Sequence, residues 1–532
     1  MLTKAILLGI ISVFGVMDSR MLGRTNFEQP LVMGALVGIA LGDLTKGLIV
    51  GASLELIFMG IVNIGAAAPP DLVLGSVMAT AFAILSHTNA QTALTIALPV
   101  AILGQMVGIL LRMFMSTFVH RAESDIENGD FAKARRFHIL WGPILYSLMY
   151  FVPVFIAIYF GADVVKDIVQ SIPSWLTDGL NLASKILPAY GFALLMQTMV
   201  SKKTVVYLLI GFFITAYGGL SVTGVAIFAG LLVLVLNEIL PKNNVVEASS
   251  DDELIMAENL ELTKQEQRKK YWSFFWRSYA IQASWNYEGQ MNLGFLYGID
   301  PTLDRLYDVN NEEELRKKKE AYKRHLAFYN CTPQTSAFVL GLSSSMEEEY
   351  AKNPTTFNPD SINAVKASLM GPLSGVGDSF FQGTIKVLAF GLGVNFARQG
   401  SILGPLLAIL ISFIPAALVT YYGGKLGYTT GNSFLKKLTS QGIMDRAMYL
   451  VTIVGLMVIG SMIASMIGIT TPIHMGKTFN LQKTLDTIFP QMIPLLVTFF
   501  MYYLLHRKVK TGWILTICIL SGLLFSVLGI FA

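Results

Sequence analysis

The chain has 532 residues, of which 53% are apolar and only 14% charged, with a formal net charge of +4. Soluble globular proteins carry about 25% charged residues, so this composition argues for a polytopic membrane protein. The basic residues are scattered through short loops and gathered on no single face, which argues against a nucleic-acid partner.

The chain opens with "MLTKAILLGIISVFGVMDSRM", a lysine followed by an apolar run. No small-residue cleavage site follows it, and Asp18 and Arg20 close it, so it reads as a retained first membrane segment. A spanning helix needs about 20 mostly apolar residues. Such runs recur at residues 93–119, 139–160, 204–240, 402–422, 448–467, 493–505 and 513–531. Allowing for tilted and bent segments, roughly ten to twelve membrane segments are expected. The fold class is therefore an all-α polytopic membrane protein.

In the first half, "GASLELIFMGIVNIGAAAPPD" carries Glu55 and Asn63 in an apolar context broken by glycines and Pro69–Pro70. An acid at membrane depth normally faces a cavity or a partner. A broken helix frees backbone groups to line such a cavity. Glu55 and Asn63 are thus candidate site residues, with pairing of Glu55 to Lys46 or to a backbone group as the structural alternative. Around residue 241 the composition turns charged, and "PKNNVVEASSDDELIMAENLELTKQEQRKK" reads as a linker. The domain boundaries are 1–240 for a first membrane module, 241–270 for the linker and 271–532 for a second module.

The second module starts with the aromatic-rich, amphipathic "YWSFFWRSYAIQASWNYEGQ", suited to lie along the membrane interface. If "QASWNYEGQMN" is helical, Trp285, Glu288, Gly289 and Asn292 share one face, with Asn286 and Gln282 on its edge. An aromatic plate beside a carboxylate and amides suits a sugar ring and its hydroxyls. Interfacial aromatic anchoring is the alternative use of the same residues. "RHLAFYNCTP" holds His325, the one histidine in a polar context, able to move a proton or phosphoryl group or simply to cap a helix or sit hydrogen-bonded in the core. "MGPLSGVGDSFFQG" is too glycine-rich for a straight helix. It presents Asp378, either to a site or to Lys386. An acid-bearing interrupted segment in each half is the sequence sign of a transport site between two helical modules with interrupted or re-entrant segments.

No phosphate-binding GxxxxGK[ST] loop occurs, and "HMGKTF" lacks its upstream glycine. Cys331 and Cys518 lie far apart and the six histidines are dispersed, so neither a metal site nor a cofactor is expected. The loops "HRAESDIENGDFAKARRFH", "SKK", the linker and "HRKVK" hold most loop lysines and arginines and are candidates for the cytoplasmic side.

Several of these stretches resemble a known family. "GASLELIFMGIVNIGAAAPPD" and the first module are similar to the IIC subunit of the mannose-family sugar phosphotransferase system. "SWNYEGQMNLGF", "RHLAFYNCTPQTSAFVLG" and "SLMGPLSGVGDSFFQGT" resemble signatures of its IID subunit, and together the two cover nearly the whole chain. The resemblance implies fused IIC and IID components of a phosphoenolpyruvate-dependent system in the cytoplasmic (inner) membrane. A hexose or amino sugar binds between the modules and is phosphorylated on entry by IIA and IIB phosphohistidine partners. The phosphohistidines belong to those partners, so no catalytic residue is expected in this chain. The implied sugar-site residues are Glu55, Asn63, Trp285, Asn286, Glu288, His325 and Asp378. Contact with membrane lipid and a homo-oligomeric assembly are also implied. The alternative class is a proton-coupled secondary sugar transporter working through Glu55 or Asp378.

Overall fold

A computed structural model describes the chain except residues 59–69, 87–89, 162–173, 202, 221, 240–261, 440–442, 476–478, 510 and 532. The expected linker falls mostly, and Asn63 wholly, outside the described residues. The first half forms α1 (Leu2–Met21), α2 (Pro30–Leu41), α3 (Leu44–Phe58), α4 (Leu72–Leu85), α5 (Ala90–Glu127), α6 (Phe131–Arg136), a π-helical turn (Phe137–Trp141) and α7 (Gly142–Phe160). It continues with α8 (Ser174–Met199), α9 (Val205–Gly218) and α10 (Val222–Ile239). The second half forms α11 (Lys264–Tyr279), α12 (Asn292–Leu306), α13 (Glu312–His325), α14 (Pro333–Lys352) and α15 (Asp360–Gly377), then a π-helical run (Asp378–Ile385) leading into α16 (Lys386–Arg398). Its remaining helices are α17 (Leu403–Thr439), α18 (Ile443–Met466), α19 (Leu481–Ile488), α20 (Met492–His506) and α21 (Thr511–Val527). Among the described residues the strands amount to one ladder, His474–Met475 against Phe479–Asn480.

Four stretches of the described residues are long and apolar enough to cross a membrane: Leu2–Met21, Val100–Glu127, Phe131–Phe160 and Leu403–Thr430. Helices α19 and α20 form a further pair bent by 81°. This is fewer than the ten to twelve segments that hydropathy suggests. The reason is visible in α4, where every residue from Leu72 to Ile84 is buried in protein. Its apolarity serves a core, and an apolar run alone does not separate a core helix from a span.

The two halves of the sequence do not sort into two packing groups. Helix α8 packs on α20 and α21, and α9 and α10 pack on α18. In the other group α2 packs on α3, α3 on α16, and α14 on α17. Each group takes helices from both halves, which sets residues far apart in sequence against each other.

The α2–α3 hairpin shows how backbone proximity is encoded. Gly34 and Gly38 on α2 meet Gly47 and Gly51 on α3, a small-xxx-small pattern on both helices that lets backbones approach. A Cβ on Gly34 would stand 2.6 Å from the Gly47 carbonyl and 2.7 Å from the Gly51 Cα. Gly42 closes α2 at φ +83°, where a side chain would be strained. Gly47→Ala is expected to destabilise the fold by about 1 to 3 kcal/mol, the usual range for overpacking. The thermal midpoint of the purified variant in detergent checks this, and an unchanged midpoint would show that the hairpin can spread without cost.

Candidate functional site

The loop between α1 and α2 is the first part of the site. Residues Gly23, Arg24 and Asn26 all have positive φ, and the sharp path they trace is fixed by Asp18. Its carboxylate accepts from Thr25 N (3.0 Å), Thr25 Oγ1 (2.7 Å) and Glu28 N (3.4 Å). The second half of the chain holds the same loop from outside. Gln334 Nε2 donates to the carbonyls of Gly23 (2.9 Å) and Arg24 (3.1 Å), and Gly23 N donates to the Tyr279 carbonyl (2.9 Å). Arg24, Asn26, Glu28 and Gln29 are buried as a result.

Glu55 lies fully buried on α3, where its Oε2 accepts from Leu31 N at 3.0 Å in the first turn of α2. The cation that acts on it is Lys386, at the start of α16. Of the two structural alternatives, the backbone partner is the one formed, at Leu31 N, and no ion pair to Lys46 accompanies it among the described residues. Asp378 accepts from Thr332 Oγ1 (2.9 Å) and Ser374 Oγ (3.5 Å), and Arg24 is the cation acting on it. The expected bridge to Lys386 is absent because Lys386 lies about two turns further along the same continuous helical run. Both acids thus face a cation from the opposite half of the chain. The π-helical run that begins at Asp378 is the interruption expected there, of the kind often found at functional positions.

The second part is the stretch around "SWNYEGQ". It is not helical: residues 281–284 and 287–289 are turns, and Asn286 and Gln290 form an isolated bridge, with Gln290 also bridging Tyr329. Asn286 explains the difference. Its Oδ1 accepts from the backbone of Glu288 (3.0 Å) and Gly289 (2.8 Å), and its Nδ2 donates to the carbonyls of Ser284 (3.3 Å) and Gln290 (3.4 Å) and to Asn292 Oδ1 (3.5 Å). A side chain that captures its own backbone in this way competes with helix formation. The shared helical face expected for Trp285, Glu288 and Asn292 is therefore lost, while the residues stay within one compact loop.

First-half helices clamp this loop. His138 Nδ1 lies 2.7 Å from Ser284 Oγ and its Nε2 2.9 Å from the Ala280 carbonyl. Tyr146 Oη donates to the Trp285 carbonyl at 3.3 Å. The Arg112 guanidinium lies 5.5 Å from the Trp285 ring centroid, and Tyr287 meets that ring edge-on at 5.1 Å. His120 Nε2 lies 3.1 Å from Glu288 Oε2.

His325 stands in a different place. It is fully buried at the end of α13, with Nε2 2.9 Å from Glu347 Oε1, and Glu347 is also held by Arg324 at 2.9 and 3.0 Å. Its ring stacks on Phe295 at 5.6 Å. Burial pushes the imidazole down to about 4 from its ordinary 6.5. Burial also works against the Glu347 carboxylate, but the hydrogen bond from His325 and the neighbouring charges outweigh it and hold that group below its ordinary value. The simpler role for His325, a hydrogen-bonded core histidine, matches this geometry. Between pH 6.5 and 4 the unfolded chain carries a proton on His325 that the folded chain refuses, so stability falls as pH falls through that window and is level above it. The expected loss is about 3 kcal/mol across the window. Thermal midpoints of the wild type and His325→Gln from pH 8 to 4 check this. The variant should lose the slope between 6.5 and 4, and retention of that slope would assign it to other groups.

As site residues, sequence reasoning missed Asp18, Arg24, Arg112 and Gln334, and it had Lys386 only as a possible partner of Asp378. The usable signal was charge inside apolar runs: Arg112 sits in "ILLRMFM", and Lys386 in "TIKVLAF". Such residues normally face a bundle interior. Six buried acceptor atoms in or beside these loops have no protein hydrogen-bond partner among the described residues: Asn26 Oδ1, Gln29 Oε1, Glu55 Oε1, Glu288 Oε2, Gln290 Oε1 and Gln334 Oε1. Buried polar atoms are rarely left so.

Two family descriptions match the chain. "PTS system mannose/fructose/sorbose family IID component" matches residues 265–531, and "PTS system sorbose-specific iic component" matches residues 2–235. The mannose-specific EIID component of Escherichia coli K12 is 35% identical over 250 residues, covering 45% of this chain and 86% of the relative. The mannose-specific EIIC component of the same organism is 29% identical over 242 residues, covering 45% of this chain and 90% of the relative. The sorbose-specific EIID component of Klebsiella pneumoniae is 32% identical over 266 residues, covering 48% and 94%. A solved structure titled "CryoEM Structure of Mannose Transporter ManYZ and Microcin E492 (MceA) complex" shares 33% identity, with a TM-score of 0.45, over 51% of this chain and 98% of its own.

Proposed function

We propose, for a chain that belongs to the mannose/fructose/sorbose family of phosphotransferase-system membrane components, that it binds a hexose or amino sugar at the junction of its two halves and releases it for phosphorylation on entry. The chain carries a IIC component in its first half and a IID component in its second, and works with IIA and IIB partners. The observation that supports the sugar reading most is the set of six unpartnered acceptors on Asn26, Gln29, Glu55, Glu288, Gln290 and Gln334. Sugar hydroxyls donate and accept, and a hydroxyl buried without a partner costs roughly 2 to 7 kcal/mol. A ring with many hydroxyls is the ligand class that satisfies such a set.

Glu55 and Asp378 orient hydroxyls in this reading, each balanced by a cation from the other half. Trp285, packed between Arg112 and Tyr287, presents an edge of its ring. Asn286 acts by shaping the loop, and Asn63 is retained as a candidate ligand on its sequence context alone. His325 takes no direct part. The module boundaries at 240 and 271 mark the IIC and IID portions, joined by a linker that fixes their stoichiometry. Trp272 and Trp276, exposed on α11, rest at the lipid headgroups of the cytoplasmic membrane, and the chain assembles as a homo-oligomer.

The test is uptake of labelled hexoses and amino sugars into vesicles holding this chain, with and without phosphorylated IIB. Sugar phosphate accumulating only with the partner is expected. Free sugar accumulating without it, driven by a proton gradient, would replace this reading with a secondary transporter.

A further inference from the structure

Helix α5 carries Arg112, Ser116 and His120 one turn apart, so they share a face. That face meets the loop of Trp285 to Gln290 at two points: Arg112 beside the Trp285 ring and His120 beside Glu288. Ser116 is buried between them, and its Oγ has no protein partner among the described residues. The stripe therefore runs from the enclosed aromatic loop toward the end of α5, where the helix gives way to the basic loop that is a candidate for the cytoplasmic side.

At the open end the two groups differ in exposure. The Glu288 side chain is 11% exposed and that of His120 is 51% exposed, with Nε2 and Oε2 3.1 Å apart. The carboxylate is buried and the imidazole half-exposed, one residue before the charged end of the helix that carries Arg121, Glu123, Asp125 and Glu127. Besides Glu288, the charged group acting on His120 is Glu123, one turn along the same helix. No lysine or arginine pairs with Glu288 among the described ion pairs. A buried carboxylate oxygen that accepts no hydrogen bond among the described residues, 3.1 Å from a half-exposed imidazole, is placed to take a proton from a donor in the site and pass it outward.

We infer that Glu288 and His120 form the proton exit for phosphoryl transfer, with Glu288 as acceptor and His120 as relay to solvent. This rests on the reading above, that a partner phosphohistidine phosphorylates the bound sugar. In the step, the sugar hydroxyl oxygen attacks phosphorus on the protonated N-phosphohistidine of the partner. The P–N bond breaks and its electron pair stays on the imidazole nitrogen, which leaves as neutral imidazole. The hydroxyl proton passes to the Glu288 carboxylate, then to His120 Nε2, and from the imidazolium to water, which restores both groups. Phosphoryl transfer depends mainly on positioning, and a placed base supplies the remaining proton movement.

The experiment uses the full chain in lipid nanodiscs with phosphorylated IIB and saturating hexose, measuring single-turnover sugar phosphate formation and, separately, hexose affinity. His120→Ala is expected to slow transfer about 100-fold, the lower end of the range for loss of one acid–base group. Its loss should exceed any loss of affinity, and added imidazole, able to reach so exposed a site, should restore a large part of the rate. Glu288→Gln is expected to slow transfer about 100-fold or more, with no response to imidazole. Wild-type rates in His120→Ala, or a slow variant that imidazole leaves unchanged, would overturn the relay and make the pair a latch between the two halves. If the wild-type chain itself forms no sugar phosphate, the fault lies with the group-translocation reading and the relay falls with it.

Discussion

Glu55→Gln is expected to weaken hexose binding by about 30- to 100-fold and to lower the thermal midpoint measurably, since a charge-assisted hydrogen bond is worth about 1.5 to 3 kcal/mol. Glutamine keeps the volume and still offers an oxygen to Leu31 N, so the α2–α3 contact survives. What it removes is the negative charge facing Lys386, a side chain only 2% exposed. A buried charge left without its partner typically destabilises by about 3 to 5 kcal/mol, whereas removal of both partners is often neutral. Glu28 also acts on Lys386, which places the expected penalty at the lower end. The double variant Glu55→Gln with Lys386→Met separates the two roles. Stability should return while hexose affinity stays low. Recovery of affinity together with stability would show that Glu55 merely neutralises Lys386 and does not touch the sugar.

The sequence carried the membrane class, the family signatures and the positions of the acid-bearing segments, because each depends on local composition. Glu55 and Asp378 stood out since an acid in an apolar run is costly unless it faces a cavity or a partner. Their partners were not legible. Lys46 and Lys386 were the nearest cations in sequence, yet α3 packs on α16 and the α1–α2 loop packs on α14, so each acid meets a cation from the other half. The same distance in sequence hid Gln334, whose amide holds the loop at Gly23 and Arg24. The α1–α2 stretch "DSRMLGRTNFEQP" looked like a connection, and its roles as a sharp turn and a seat for buried charge appear only when Asp18 is seen to fold it back. Span number failed for a related reason, since α4 is as apolar as a span but is enclosed by neighbouring helices.

Asn286→Ala is expected to be among the most destabilising single changes in the chain, by about 3 kcal/mol or more, because the backbone donors of Glu288 and Gly289 and the Ser284 carbonyl lose the side chain at once and each buried orphan costs about 1 to 3 kcal/mol. The residue has no exposed surface, so water does not replace what is lost. The loop it organises carries Trp285 and Glu288 and is clamped by His138, Tyr146 and His120 from the first half, so its release should loosen the junction between the halves as well. Hexose affinity is then expected to fall in proportion to the loss of loop order, and Asn286→Asp should behave similarly, since it keeps the acceptor for Glu288 and Gly289 but loses the donors and buries a charge. Thermal midpoints and hexose titrations on both variants decide the role. A variant that binds sugar poorly with an unchanged midpoint would make Asn286 a direct ligand, because a hydrogen bond reserved for sugar leaves the empty fold unaffected. Matched losses of midpoint and affinity would place Asn286 one step behind the sugar, holding in position the carboxylate and the ring that meet it.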